Sequence, residues 1–267
     1  MFAIHNYSVF RRSKVPRSFY LTLLLQVGFT VLNGWCGEND PNSRATSRWA
    51  AHAQEIFGAA QKRFASEPTN SVAAWEFARA GFDRAEFATN NAERAAIAVQ
   101  CIDACRQALV RDPKLSPAHY YLGMNLGQLA RTKLLGALKL VGEMERAFKA
   151  VVALDERFDH AGADRCLGLL YYEAPVIGSV GSRTKARKHL ERAVELVPDF
   201  PENRLNLAEA YLKWREKKPL QRELDELQKL WPAAQTNFAG PDWEMARVDW
   251  SRRLKKLQED STAFLKR

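Results

Sequence analysis

The chain has 267 residues, of which 46% are hydrophobic, and its formal net charge at pH 7 is +9. This length allows one domain with a sizeable core, and the mean hydropathy of -0.37 indicates that most of the chain is soluble. Basic residues often stand three or four positions from acidic ones, which is typical of solvated helical surfaces and gives no indication of nucleic-acid binding.

The first 36 residues differ in composition from the remainder. They contain no acidic residue and four basic ones, which are Arg11, Arg12, Lys14 and Arg17. An uncharged, largely apolar run over 18–37 follows. A basic stretch before an apolar stretch is the pattern of an export signal, so 1–36 is predicted to be a signal peptide or N-terminal anchor of a periplasmic protein. The run is shorter than the roughly 20 residues of a membrane span, and an uncleaved anchor or a lipidated Cys36 is the alternative.

The next segments are predicted to be a linker and then helices. Residues 37–47 are polar and rich in turn formers, which favours a flexible linker. Apolar residues at helical spacing predict a first helix over about 48–65. The following hairpin is predicted to begin after Asn70 or Ser71, both good helix caps, and its second helix to cover about 92–110.

A third hairpin is predicted from Ser116 and Pro117, because a capping hydroxyl before a first-turn proline favours a helix start. Its second helix is predicted over 142–156. The second and third hairpins are each longer than a repeat unit of about 34 residues by close to three helical turns. We therefore expect longer helices in these early hairpins rather than disordered loops.

The fourth hairpin contains a loop of a different kind. The sequence EAPVIGSVGS predicts that the first helix ends at Pro175, and it supplies Gly178 and Gly181 before a second helix that starts at Ser182 or Arg183. We expect an ordered loop here. Pro175 and Gly178 are included among the candidate interaction residues.

The stretch 167–232 carries a repeated spacing of large and small residues. Pro198 and Pro232 are 34 residues apart, and the unit between them has Leu207-Ala208 followed by an aromatic residue, as Leu167-Gly168 does in the unit before. This is the spacing of the tetratricopeptide repeat (TPR). The predicted fold is an all-α, TPR-like α-solenoid of helix hairpins over 48–267, with extended early repeats and a C-terminal capping helix.

The capping helix follows a polar stretch, 233–242, which comes directly after the predicted closing residue Pro232. Its apolar stripe includes Trp243 and Trp250, and its other side is basic. Repeat arrays need a terminal helix with a polar outer face, so a cap is favoured over a membrane-binding or nucleic-acid-binding helix.

The residue types that carry catalysis or bind metals are not grouped in the sequence. Cys101 and Cys105 are four residues apart on a predicted helix and are interpreted as core thiols, since a disulfide between them would need unfavourable geometry. The histidines lack metal-ligand spacing. His160, near Asp159 and Asp164, lies in a predicted turn where polar residues are ordinary. We predict no enzyme activity, no catalytic or metal-binding residue and no cofactor.

Binding is the expected function of a solenoid, because the first helices of the hairpins line a concave face. Counting from the Leu-Gly positions places eight residues on that face: Tyr120, Met124, Arg165, Leu169, Tyr172, Leu205, Glu209 and Leu212. Their apolar character predicts a groove or cavity for a partner or an apolar small ligand. In the alternative interpretation, the leucines among them are core residues between packed helices.

Two segments carry a resemblance to a known family. LGLLYYEAPVIG at 167–178 and KARKHLERAVELVPDFPENRLNLAEAYL at 185–212 resemble the T-component of tripartite ATP-independent periplasmic (TRAP) transporters. The resemblance implies a periplasmic helical-repeat protein that associates with the solute-binding protein of a transporter and binds an apolar small ligand. A homo-oligomer is a separate expectation for the partner. An envelope scaffold or assembly factor, binding another protein without a small ligand, is the alternative.

Overall fold

A computed structural model describes residues 41–133 and 136–265, and all regular structure in these ranges is helical. The predicted signal peptide or anchor over 1–36, with Cys36, lies outside the described residues. The described helices are α1 (Pro41–Ser66), α2 (Ser71–Glu86), α3 (Asn91–Arg111), α4 (Ser116–Ala130), α5 (Ala137–Leu154), α6 (Phe158–Glu173), α7 (Arg183–Leu196), α8 (Pro201–Lys213), α9 (Lys217–Asn237) and α10 (Pro241–Leu265).

Consecutive helices form four hairpins, α2 with α3, α4 with α5, α6 with α7, and α8 with α9. The first helices of neighbouring hairpins also contact one another, from α2 to α8, and we name α2, α4, α6 and α8 the inner helices. Helix α1 packs on α2 at one end of the stack, and α10 packs on α8 and α9 at the other. The prediction of a solenoid of helix hairpins is confirmed.

The extra length of the early hairpins lies in their second helices. Helix α3 has 21 residues and α5 has 18, against 14 in α7. A connection of only four residues, 87–90, joins α2 to α3. Longer helices extend the buried faces in whole turns, so the hairpins still stack. Helix α5 begins at Ala137, five residues earlier than the predicted 142. Its N-cap residue is Gly136, with a φ of 84°.

Side chains cap two of the helices where the sequence predicted it. The side chain of Asn70 accepts hydrogen bonds from the amides of Val72 and Ala73, at 2.9 and 3.3 Å. The hydroxyl of Ser182 accepts one from the amide of Lys185 at 3.3 Å. The prediction for Ser116 was wrong by one residue, because the backbone of the preceding leucine already takes the capping position and Ser116 is buried as the first helical residue.

Two further boundaries differ from the sequence prediction. Helix α1 begins at Pro41, so residues 41–47 are helical rather than a linker. Helix α9 continues through Pro232 to Asn237, so this proline does not close the unit. Ala234, beyond the proline, is buried, and its packing keeps the last turns against the core.

Glycine allows close helix approach within the hairpins. A Cβ added at Gly168 would lie 2.6 Å from Cγ of Leu190 and 3.1 Å from its backbone nitrogen, on the partner helix α7. Gly123 of α4 is in similar contact with Phe148 of α5. The Leu-Gly signature in the sequence is therefore explained by side chains of the second helix that occupy the space beside each glycine.

Gly168→Ala is expected to lower the free energy of unfolding by about 1–3 kcal/mol, because the backbone of α7 must move. The matched control is Gly58→Ala in α1, where an added Cβ meets nothing within 4 Å. That change is expected to raise stability by about 0.5–1 kcal/mol through helix propensity. Urea denaturation measures both. Equal effects of the same sign would contradict close packing of α6 on α7.

A single hydrophobic core runs from Phe57 in α1 to Leu257 in α10. Its large, fully buried side chains include Tyr120, Tyr211 and Trp250. Helix α10 thus belongs to the same core as the hairpins and closes the end of the stack. Within the described ranges, every helix is too short or too polar to cross a membrane.

Candidate interaction surfaces

The inner helices are largely buried. In α6, every residue from Ala161 to Tyr171 is buried, and no residue of α2 or α4 is fully exposed. A helix that faced an open groove would carry one exposed side. Helix α10 lies along α8, where the guanidinium of Arg253 donates to Glu209 at 2.7 and 2.9 Å and to Asn206 at 2.5 Å. The inner face near α8 is therefore occupied by the chain itself.

This closure corrects the prediction of an open concave groove. Five of its eight residues are core residues: Tyr120, Met124, Arg165, Leu169 and Leu205. The other three are half-buried: Tyr172, Glu209 and Leu212. The alternative interpretation, that the leucines are packed between helices, describes Leu169 and Leu205 correctly. A shallow depression elsewhere, on α9, is lined by polar and charged side chains from Lys218 to Lys229, which is unlike a site for an apolar ligand.

Arg165 is the centre of a buried polar network. Its guanidinium lies 3.3 Å from Oδ2 of Asp159 and 3.8 Å from Oε2 of Glu202. Burial alone would lower the pKa of Arg165, but the negative charges around it, chiefly Glu202, outweigh burial and raise the pKa. The phenol of Tyr120 donates to Asp159 at 2.7 Å. Two residues predicted to line a groove therefore hold a buried carboxylate instead.

The network fixes a strained turn at the start of α6. Asp159, His160 and Ala161 have φ angles of 52°, 57° and 58°, which is left-handed backbone without a glycine. Such a conformation costs about 1–2 kcal/mol per residue. Arg165 donates to the carbonyls of Asp159 and His160 at 3.3 and 3.1 Å, and Asn203 donates to the latter at 3.1 Å. These bonds hold the turn in place.

The strained turn sets His160 among aromatic rings from three other elements. Its imidazole stacks on Phe200 with ring centroids 4.3 Å apart, and Phe238 and Trp243 meet it edge-on, each at 5.8 Å. We name His160, Phe200, Phe238 and Trp243 the aromatic cluster. Phe200 is buried, whereas the other three are partly exposed. Half-exposed aromatic rings on a rigid base are typical of binding surfaces.

The surroundings of the aromatic cluster are acidic. It lies where one hairpin passes to the next, and we name this side of the array the turn end. The connecting stretches 155–159, 197–202 and 238–244 together contain seven Asp or Glu and one Arg. Four of these acids pair with arginines, so the negative charge beside the rings comes from Asp155, Asp199 and Asp242. This charge favours a partner with basic side chains.

The opposite side of the array, where the two helices within a hairpin connect, is named the loop end. Residues 174–182 form an ordered loop there, because the amide of Ser182 donates to Tyr171 at 2.9 Å and that of Gly181 to Pro175 at 3.1 Å. Gly178 has a φ of 77°, which favours glycine. The predicted residues Pro175 and Gly178 are both exposed.

Between them lies an aliphatic pair that the sequence analysis did not select. The side chains of Val176 and Ile177 are 75% and 93% exposed. The sequence could have indicated their exposure, because two bulky aliphatic residues between a proline and a glycine lie in a loop, where they are not packed on a helix face. They are the tip of the loop end.

Cations and aromatic rings lie at the helix ends on the same side of the array as this tip. The ammonium of Lys213 lies 4.4 Å from the ring centroid of Tyr172, which also contacts Trp214 edge-on. Arg183 and Arg187 both pair with Glu216. The stretches 171–188 and 211–218 together contain eight Lys or Arg and two Glu. The loop end thus has the opposite charge to the turn end.

The prediction that Cys101 and Cys105 are core thiols is confirmed, since both are free and buried, and Cys166 is free and buried as well. Burial raises the pKa of all three thiols, that of Cys166 to about 12, which keeps them protonated and weakly nucleophilic.

His160, Asp159 and Asp164 do not form one cluster. Asp164 instead lies 2.6 Å from Nδ1 of His189, whereas Asp159 is held by Tyr120 and Arg165. The described ranges contain no set of three or more ligand side chains suited to a metal ion.

The architecture and its repeat spacing define the chain as a TPR-like α-solenoid. A search of solved structures finds similarity to a thermophilic TPR protein of Thermus thermophilus, with a TM-score of 0.52 and 18% sequence identity, covering 79% of this chain and 96% of that chain. At this identity the similarity concerns the fold. A scan against protein-family models finds no match, and neither does a search of curated proteins.

Proposed function

We propose that the protein is an exported, non-enzymatic scaffold that binds another protein through the aromatic cluster at its turn end. The observation that carries the proposal is the strained turn, which sets His160 against Phe238 and Trp243 and is held by partly buried hydrogen bonds from Arg165 and Asn203. Strained backbone persists where the surrounding structure over-determines it, and it is concentrated at binding and catalytic sites.

Within this function, we propose that the partner is the periplasmic solute-binding protein of a TRAP-type uptake system. The support is the resemblance of 167–178 and 185–212 to the T-component family. The proposed role does not include an apolar small ligand, because Tyr120, Met124 and Leu169 are buried where the ligand was expected to bind.

An envelope scaffold or assembly factor is the second candidate. The burial of Tyr120, Met124 and Leu169 favours it, because a scaffold of this kind needs outer surfaces only. The identity of the neighbouring genes separates the two: permease and solute-binding subunits favour uptake, and secretion or pilus components favour assembly.

The experiment measures binding between the purified full-length protein and the solute-binding protein of a TRAP-type uptake system. Trp243→Ala is expected to raise Kd by about 30-fold, as removal of a hot-spot aromatic does, and Asp242→Lys to raise it by about fivefold without changing the packing. Trp214→Ala, at the loop end, is the matched control and should leave Kd unchanged. If only the Trp214→Ala control lost binding, the proposal that the aromatic cluster is the binding site would be wrong. A wild-type protein that binds no solute-binding protein would overturn the uptake role.

A further inference from the structure

We propose that the loop end docks on an anionic lipid bilayer, with Val176 and Ile177 entering the membrane interface. This inference stands apart from the proposed partner binding, since it rests on the opposite side of the array. In this proposal the exposed aliphatic pair and the basic residues of the loop end bind the same ligand, the lipid bilayer.

The first support is the shape of the loop. Val176 and Ile177 are 75% and 93% exposed, at the tip of a loop whose base is closed by hydrogen bonds to Tyr171 and Pro175. Water is a poor environment for two adjacent aliphatic side chains. A specific protein interface needs roughly 800 Å² per partner, far more than two side chains on a convex tip provide, whereas a bilayer receives such a tip without a complementary pocket.

The second support is charge. The stretches 171–188 and 211–218 contain eight Lys or Arg and two Glu, a formal excess of six positive charges, and Glu216 uses Arg183 and Arg187 for its ion pairs. Lys185, Lys213, Arg215 and Lys218 are exposed beside the loop. Cations close to an anionic membrane each add to binding, and they act together with inserted apolar residues.

The third support is the layer of rings between tip and core. Tyr172 and Trp214 are half-buried and contact each other edge-on at 6.0 Å. Lys213 lies over the face of Tyr172, and Arg183 and Arg187 lie over Trp214. Tyrosine and tryptophan are enriched at the depth of lipid headgroups, where one side of the ring is apolar and the other is wet.

The placement also orients the molecule. His160 stands near the first residue of α6 and Tyr172 near its last, so the helix separates the two surfaces by about 20 Å along its axis. With the loop end on a membrane, the aromatic cluster faces away from it. Lipid and protein can then be bound at the same time.

The experiment compares vesicles of phosphatidylcholine alone with vesicles that also contain phosphatidylglycerol, using flotation of the full chain. Val176→Asp/Ile177→Asp is expected to weaken binding to the anionic vesicles by about tenfold or more. Val110→Asp is the matched control, since Val110 is 84% exposed but lies at the end of α3, away from the loop end. It should bind as the wild type does. The apolar run 18–37 is common to every variant, so differences between variants report on the loop.

Insertion itself is measured at Ile177→Cys, labelled with a polarity-sensitive dye in a Cys36→Ser background. The remaining cysteines are buried. A blue shift on anionic vesicles, weakened by salt and by Lys213→Glu/Lys218→Glu, is the expected result. An unchanged emission would overturn the proposal. So would loop variants that keep vesicle binding but lose the protein partner in solution, which would make the loop end a protein-binding site.

Discussion

Arg165→Met is expected to lower the free energy of unfolding by about 3–5 kcal/mol, because it leaves buried carboxylates without their cation. Asp159 and Glu202 lie within 3.3 and 3.8 Å of the guanidinium and are themselves buried. The substitution also removes the donors to the carbonyls of the left-handed turn, including His160. Equilibrium denaturation in urea measures the loss.

Arg106→Met is the control for this prediction. Arg106 forms ion pairs with Asp103 and Glu143 at the surface, and its side chain is 52% exposed. Exposed pairs contribute about 0–1 kcal/mol, so its removal should have little effect. Similar small effects at Arg165 and Arg106 would show that the buried network does not hold the turn.

Trp250→Ala is expected to lower the free energy of unfolding by about 3–5 kcal/mol, the range for removal of a buried tryptophan. Trp250 is 1% exposed and contacts Phe200 and Phe238 edge-on at 5.4 and 5.5 Å. The cavity would open between α10 and the last hairpin. Because α10 shares the core of the array, we expect one cooperative transition at lower urea concentration.

Val248→Ala is the matched substitution on the same helix, where the side chain is 51% exposed. This substitution should change the free energy of unfolding by no more than about 0.5 kcal/mol. A Trp250→Ala protein that loses only α10, in a separate early transition, would show that α10 is an independent appendage rather than the cap of the stack.

The hairpins could be predicted because local chemistry specifies them. Asn70 and Ser182 cap helices through their own neighbouring amides. Gly168 marks a close approach, which its position beside a leucine and before an aromatic residue already indicates. These signals lie within one repeat unit. Pro232 is the exception, because the packing of later residues outweighs the local preference of proline to end a helix.

The closed interior could not be predicted in the same way. Leu169 on an inner helix has the same local pattern whether it faces a groove or a packed neighbour, and the path of α10 along α8 is a tertiary property. The aromatic cluster is equally non-local, since His160 and Trp243 come from elements far apart in sequence. The left-handed turn at 159–161 contains no glycine that would have predicted it from the sequence. Arg165 and Asn203, which lie outside the turn, stabilise it.

Thiol labelling of single-cysteine substitutions tests most directly whether the inner face is closed, so that binding is left to the two ends of the hairpins. Leu169→Cys and Ile177→Cys are compared in native buffer in a Cys36→Ser background, since the other cysteines are buried. Leu169 is 6% exposed and Ile177 is 93% exposed. We predict that Ile177→Cys reacts at once and that Leu169→Cys reacts only when the protein unfolds. Equally rapid labelling of both positions would contradict the closed face.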